Sequence, residues 1–208
     1  MHAEALAPTT RPTRRPPASA TRARILTAAN ELFYAHGIRA TSAERVIEQV
    51  GVTKVTFYRH FRSKSDLVVA YLEQQAAAER AWIESARRDH DPEGSLQALA
   101  AGIGAASCQP GFRGCAFINA AAEFVDPADP VRVVVDEHRR WILASFADIA
   151  GQAGVDDIDS VARQLMILRD GAMVNGYLGQ SSAVAADLGA AFASVIGAAR
   201  AASAAPHR

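Results

Sequence analysis

Cysteine is scarce in this 208-residue chain, with Cys108 and Cys115 the only two. So few exclude a disulfide-stapled scaffold and fit a reducing cytoplasm. No Cys/His cluster has the spacing of a zinc site, so neither a metal nor any other cofactor is expected. Long apolar runs are missing too: no stretch approaches the roughly 20 residues needed to cross a bilayer. Arg11, Arg14 and Arg15 stand near the N-terminus with no apolar segment behind them, unlike an export signal. The expectation is a soluble cytoplasmic protein without membrane contact. Strand-like alternation is absent. So are a phosphate-binding glycine loop and a paired nucleophile and base, which disfavours an all-helical enzyme such as a thiol transferase or lyase.

Net charge is also lacking, since 22 basic residues cancel 22 acidic ones. That balance hides a polarity. Residues 1–64 hold 11 basic residues against four acids, a net charge of +7, while residues 65–208 carry −7. A basic head on an acidic body points to a polyanionic partner for the head alone.

The chain divides along the same line. Residues 1–18 are rich in Pro, Ala, Thr and Arg without periodicity, and are expected to form a flexible basic tail. Ile25, Leu26, Ala29, Leu32 and Phe33 then recur at helical spacing, with Ser19 or Thr21 as candidate cap and Gly37 as the stop. Thr41 followed three residues later by Glu44 reads as a capping box, opening a second helix over residues 42–50. Gly51 breaks it, and Thr53 can cap a short third helix from residue 54 to about 60. Two short helices about one glycine turn spell helix-turn-helix. Ser63 or Ser65 caps a long helix reaching about residue 88. Further helices are expected over residues 93–107, 115–124, 130–150, 157–178 and 182–202. The fold class is all-α: a three-helix domain over residues 19–65 and a larger helical domain over 66–208.

A protein that reads duplex DNA needs a short exposed helix for the major groove and donors that fix its register on the phosphates. Residues 53–64 supply both. Val55 and Phe61 have the spacing to form a small core with Val46, Val50 and Val52, leaving Lys54, Thr56, Tyr58, Arg59 and His60 to face outward. The ordered set Arg24-Ile25-Leu26, Ala29, Leu32-Phe33, Gly37, Thr41-Ser42, Gly51-Val52-Thr53-Lys54, Tyr58-Arg59-His60-Phe61 and Ser63-Lys64 resembles the DNA-binding domain of TetR/AcrR repressors. The resemblance implies that Lys54 and Thr56 meet bases and that Ser42, Thr53, Tyr58, His60 and Lys64 contact the backbone. Two positions depart from the family pattern: Ile47 stands where alanine is usual, and Val55 where glycine or alanine is common. For the Arg-rich tail two fates stay open, an arm in the minor groove or a diffusely attractive disordered segment.

The stretch from Gly111 to Asn119, with Glu123 and Phe124 after it, is similar to the C-terminal domain of one TetR/AcrR subgroup. The candidate effector-binding residues are Phe117, Asn119, Glu123, His138, Trp141, Met166, Asp170, Met173 and Tyr177, an apolar set with a few polar groups that must find partners. Small residues in the last two helices, Gly171, Ala172, Gly176, Gly179, Ala183, Ala186, Gly189, Ala190, Ala193 and Gly197, permit close helix approach. The resemblance implies that this pair meets its copy in a homodimer, which would require a palindromic operator. The leading function is a regulator, a repressor released from duplex operator DNA by a small, largely apolar effector. The alternatives are a thiol-based redox sensor closing a Cys108–Cys115 disulfide and an architectural DNA binder without effector.

Overall fold

The computed structural model describes residues 18–204 apart from Gln180, so the expected basic tail lies almost wholly outside it. Among the described residues there are nine helices and no strand: α1 (Ala18–His36), α2 (Ala43–Val50), α3 (Lys54–His60), α4 (Lys64–Ala86), α5 (Pro92–Ser107), α6 (Ala116–Glu123), α7 (Pro130–Gln152), α8 (Ile158–Tyr177) and α9 (Ser181–Ser203). The all-α expectation holds, and the helix ends fall within a few residues of those read from caps and breakers.

The caps explain the ends. α1 begins at Ala18, so Ser19 and Thr21 lie inside its first turn rather than capping it. The capping box fails by one residue: Ser42 is the N-cap of α2, its hydroxyl accepting the Arg45 N–H. Thr41 is buried instead, and its hydroxyl donates to the Gly37 carbonyl at 2.9 Å. Gly51 closes α2 with a left-handed backbone at φ +70°, which a side chain at Cβ disfavours. Thr53 and Ser63 cap α3 and α4 through the amides of Thr56 and Asp66.

Two cores follow from these elements. The first joins Ile25, Ala29, Leu32 and Phe33 of α1, Val46 and Val50 of α2, Phe57 and Phe61 beside the turn, and Leu67, Val68, Tyr71 and Leu72 of α4. It runs on into Phe117, Ala120, Val131 and Val135, so the head is continuous with the start of α6 and α7. The second is built by α5, α7, α8 and α9 around Leu99, Ile103, Phe146, Leu165 and Phe192, with Ile83 from the end of α4. Thus α4 belongs to both.

One expectation of the sequence is corrected in the head. Val55 takes no part in the small core: it is 79% exposed, while Phe57 is fully buried. In a seven-residue helix the anchors Phe57 and Phe61 lie four apart, and Val55 falls on the far side of the cylinder.

The C-terminus brings another correction. α9 is 23 residues long, with a mean hydropathy of 1.6 over its best 18-residue window, apolar enough by length and composition to cross a membrane. Its inward face packs on α5 and α8. There Gly104 faces Ala185, Gly189 faces Gln97, and Gly176 of α8 faces Ser107, each too closely for a Cβ. Its outward face carries Ala183, Ala186, Ala190, Ala193 and Gly197 at spacings of three and four, beside exposed Ile167 and Val174 of α8 and Leu178 just after it.

Candidate nucleic-acid interface and effector cavity

α3 is held from beneath and bare above. The ring of Phe57 meets Tyr58 edge-on at 5.2 Å and Phe61 at 6.2 Å. Lys54, Val55, Tyr58 and Arg59 stay exposed along one side, as residues at i, i+1, i+4 and i+5 must in a helix. Lys54 Nζ lies 3.1 Å from Glu44 Oε1 of α2, both ends open to solvent. Thr53 accepts the Thr56 N–H and donates its own hydroxyl to Thr56 Oγ1 at 3.0 Å, so Thr56 is half-buried with a hydroxyl proton to spare. Ser42, spent on capping α2, keeps its hydroxyl proton too.

The remaining candidates sit less freely. His60 is half-buried, and its Nε2 is shielded and without a partner. Lys64 Nζ lies 3.5 Å from the Arg39 carbonyl, and burial pulls its pKa below the usual lysine range. Arg59, outside the contact set suggested by the resemblance, shares the open side of α3 with Lys54 and Tyr58.

Below the head lies a cavity of about 530 Å³. Its wall takes Asn30 and Tyr34 from α1, Gln75, Glu79 and Trp82 from α4, Gly102 and Ile103 from α5, Phe112, Gly114 and Cys115 from the α5–α6 loop, Phe117 from α6 and Met173 from α8. Gly102 matters because a Cβ there would lie 2.4 Å from the Trp82 indole. Of the residues expected to bind an effector, Phe117 and Met173 line this cavity; the other seven are placed elsewhere.

Those seven have duties within the chain. Asn119 donates to the Arg113 carbonyl at 2.9 Å. Glu123 accepts the backbone N–H groups of Ile38 at 2.9 Å and Arg39 at 2.5 Å. His138 is fully buried, stacked 3.9 Å from the Phe117 ring, with Nε2 2.8 Å from Glu79 Oε2. Trp141 stacks on His138 and takes the Arg80 guanidinium over its face. Met166 is buried in the second core, Asp170 binds Arg139 and Arg169, and Tyr177 is exposed near Arg113.

Two charged residues missed in the sequence matter most here. Arg169 is buried, donating to Glu79, to Asp170 at 2.9 Å, and toward Cys115 Sγ at 3.5 Å. Burial alone would lower its pKa, but the Cys115 sulfur and the Glu79 carboxylate beside it drive it upward, and the guanidinium stays charged. Both residues sit on apolar stripes, Glu79 between Ala76 and Ile83 and Arg169 after Leu165, and a charge at a core position was the available signal. The two cysteines have different surroundings: Cys108 is exposed near the Ser181 carbonyl, and Cys115 is buried against Arg169.

The α5–α6 loop and α6 are tied to the head at three points. Tyr34 of α1 accepts the Arg113 N–H at 2.8 Å and donates to the Gly114 carbonyl at 2.9 Å. The Arg113 guanidinium bonds the Ala35 carbonyl. Glu123 holds the turn after α1 through the two amides already named.

Comparison with known proteins is consistent with this geometry. The family described as "Bacterial regulatory proteins, tetR family" matches residues 25–71. The chain is 41% identical over 56 residues to the HTH-type transcriptional regulator TtgR of Pseudomonas putida, a stretch covering 27% of each chain. It is 35% identical over 69 residues to YvkB of Bacillus subtilis, covering 33% of this chain and 36% of that one. The match thus spans only a quarter to a third of these curated relatives' length. The crystal structure of SCO4454, a TetR-family transcriptional regulator from Streptomyces coelicolor, aligns with a TM-score of 0.83 and 39% identity, over 87% of this chain and 96% of that one.

Proposed function

Because this chain belongs to the TetR family of DNA-binding transcriptional regulators, we propose that it is a cytoplasmic repressor, released from a palindromic operator when a small, largely apolar effector fills its cavity. In this reading residues 19–65 grip DNA and residues 66–208 sense the effector and pair two copies. Lys54 and Thr56 meet base edges, and Ser42, Thr53 and Tyr58 meet phosphates. His60, through Nδ1, and Lys64, once it leaves the Arg39 carbonyl, join them. Homodimerisation is supported by the outward faces of α8 and α9, where alanines and Gly197 permit close approach. Two-fold pairing sets the recognition helices about one DNA turn apart, roughly 34–36 Å or a little more.

The observation that carries the release mechanism is the shared wall. Tyr34 belongs to the head, lines the cavity, and is bonded to the α5–α6 loop, which lines it too. An effector pressing on Tyr34, Phe112 or Phe117 favours an arrangement in which those bonds and the half-site spacing cannot both be kept.

The test is a selection of random duplexes with the full-length protein, followed by compound screening. Short palindromes should be recovered, and compounds that raise the Tm should lower operator occupancy. Recovery of no palindrome, or a lone subunit in sedimentation, would remove the DNA-reading proposal; compounds that tighten operator binding would reverse the sign of regulation.

The Glu123 tie is testable without an effector. Hydrogen bonds to a charged acceptor contribute about 1.5–3 kcal/mol, so Glu123→Ala should speed amide exchange at Ile38 and Arg39 by roughly 10- to 150-fold. Unchanged exchange at both amides would show that the turn holds itself.

A further inference from the structure

Val55 stands in the centre of the open face of α3, flanked by Lys54 and with Tyr58 and Arg59 one turn on. The residue is 79% exposed, and the anchors of the helix, Phe57 and Phe61, lie away from it in the first core. It therefore contributes little to folding. Once the helix enters a groove the isopropyl group must lie against base edges. Those edges are donors and acceptors, which an apolar side chain would strip of water without replacing it, with one exception, the 5-methyl of thymine.

We propose that Val55 reads a thymine in each operator half-site, its isopropyl group packing on the 5-methyl while Lys54 meets a neighbouring base edge and Arg59 the surrounding polyanion. The basic surplus of residues 1–64, +7, makes nucleic acid the occupant of this face. The proposal rests on α3 being the groove-reading helix.

The experiment uses the full-length dimer and the palindrome recovered by selection. Each thymine of a half-site, with its symmetry mate, is replaced in turn by deoxyuridine, which removes only the 5-methyl, and affinity is measured for wild type and Val55→Ala. At one position the wild type should lose about fourfold per half-site, from the worth of burying a single methyl-sized group. Val55→Ala, at an exposed helical site where the fold is undisturbed and the melt unchanged, should bind thymine and deoxyuridine operators within twofold of each other. A wild type that binds its operator but is indifferent to every such replacement overturns the proposal and leaves the regulator reading intact. So does a loss of equal size in Val55→Ala. Failure to recover any operator overturns both.

Discussion

Arg169→Met should lower stability by roughly 3–5 kcal/mol, because removing the buried cation strands the Glu79 carboxylate without its counter-charge. In a protein of this size that is a fall of about 6–20 °C in Tm. Glu79 would be left beside Cys115 with His138 alone still bonded to it, while Asp170 keeps Arg139. Acid titration adds a second readout. Burial would push the Glu79 carboxyl up, but the His138 hydrogen bond and the Arg169 charge together hold it below its usual value of 4.5. A carboxyl depressed in the folded state contributes stability in full above its unfolded pKa, and that contribution drains away as pH falls through the lower folded value. Wild type should lose stability below about pH 4.5, and Arg169→Met should lose less there, having less to forfeit. Arg139→Met, which removes the more exposed partner of Asp170, should change stability by no more than about 1 kcal/mol. A variant at Arg169 melting within a degree or two of wild type would show the cluster to be energetically idle.

Phe57→Ala should abolish operator binding through the fold of the head. Phe57 is the one fully buried side chain in α3, and truncating such a ring costs about 3–5 kcal/mol. The second core, built by α5, α7, α8 and α9, does not include Phe57 and should remain folded, so circular dichroism should show partial rather than total loss of helix. Tyr58→Ala is the counterpart. Tyr58 is 43% exposed, so the head should stay folded while operator affinity weakens by roughly 1–3 kcal/mol. The pair separates the residue that holds the helix from the residue that uses it. Equal unfolding in both variants would mean that Tyr58 is a core residue; equal affinity in Tyr58→Ala and wild type would take it off the DNA.

What could be read in advance followed from local chemistry. Gly37, Gly51, Thr53, Ser63 and the prolines at 92 and 130 act within a turn of their own position, so helix ends could be read from them. The same locality explains the misplaced cap: Thr41 and Ser42 both suit the role, and only the approach of α1 decides that Thr41 bonds the Gly37 carbonyl while Ser42 takes the Arg45 amide. Val55 is illegible from spacing because a seven-residue helix is too short for its period to fix its inward side; the packing of Phe57 and Phe61 fixes it. The cavity was the least legible feature. Its wall draws on α1, α4, α5, α6 and α8, and no spacing within one helix reports which side chains from five helices converge. The polar residues expected to contact a ligand, exposed Asn119, half-buried Glu123 and Asp170, and buried His138, are all bonded within the chain.

At Gly102 the wall of the chamber is drawn by a missing side chain. The indole of Trp82 occupies the space a methyl would claim, so a single alanine there forces the ring to a new resting place and redraws the volume open to a guest. One codon thus sets the size and outline of this chamber, while α3, which contributes nothing to its wall, is left untouched. Under the proposed function, exchanging the smallest residue for the next smallest would change which guests fit without touching the helix that reads DNA.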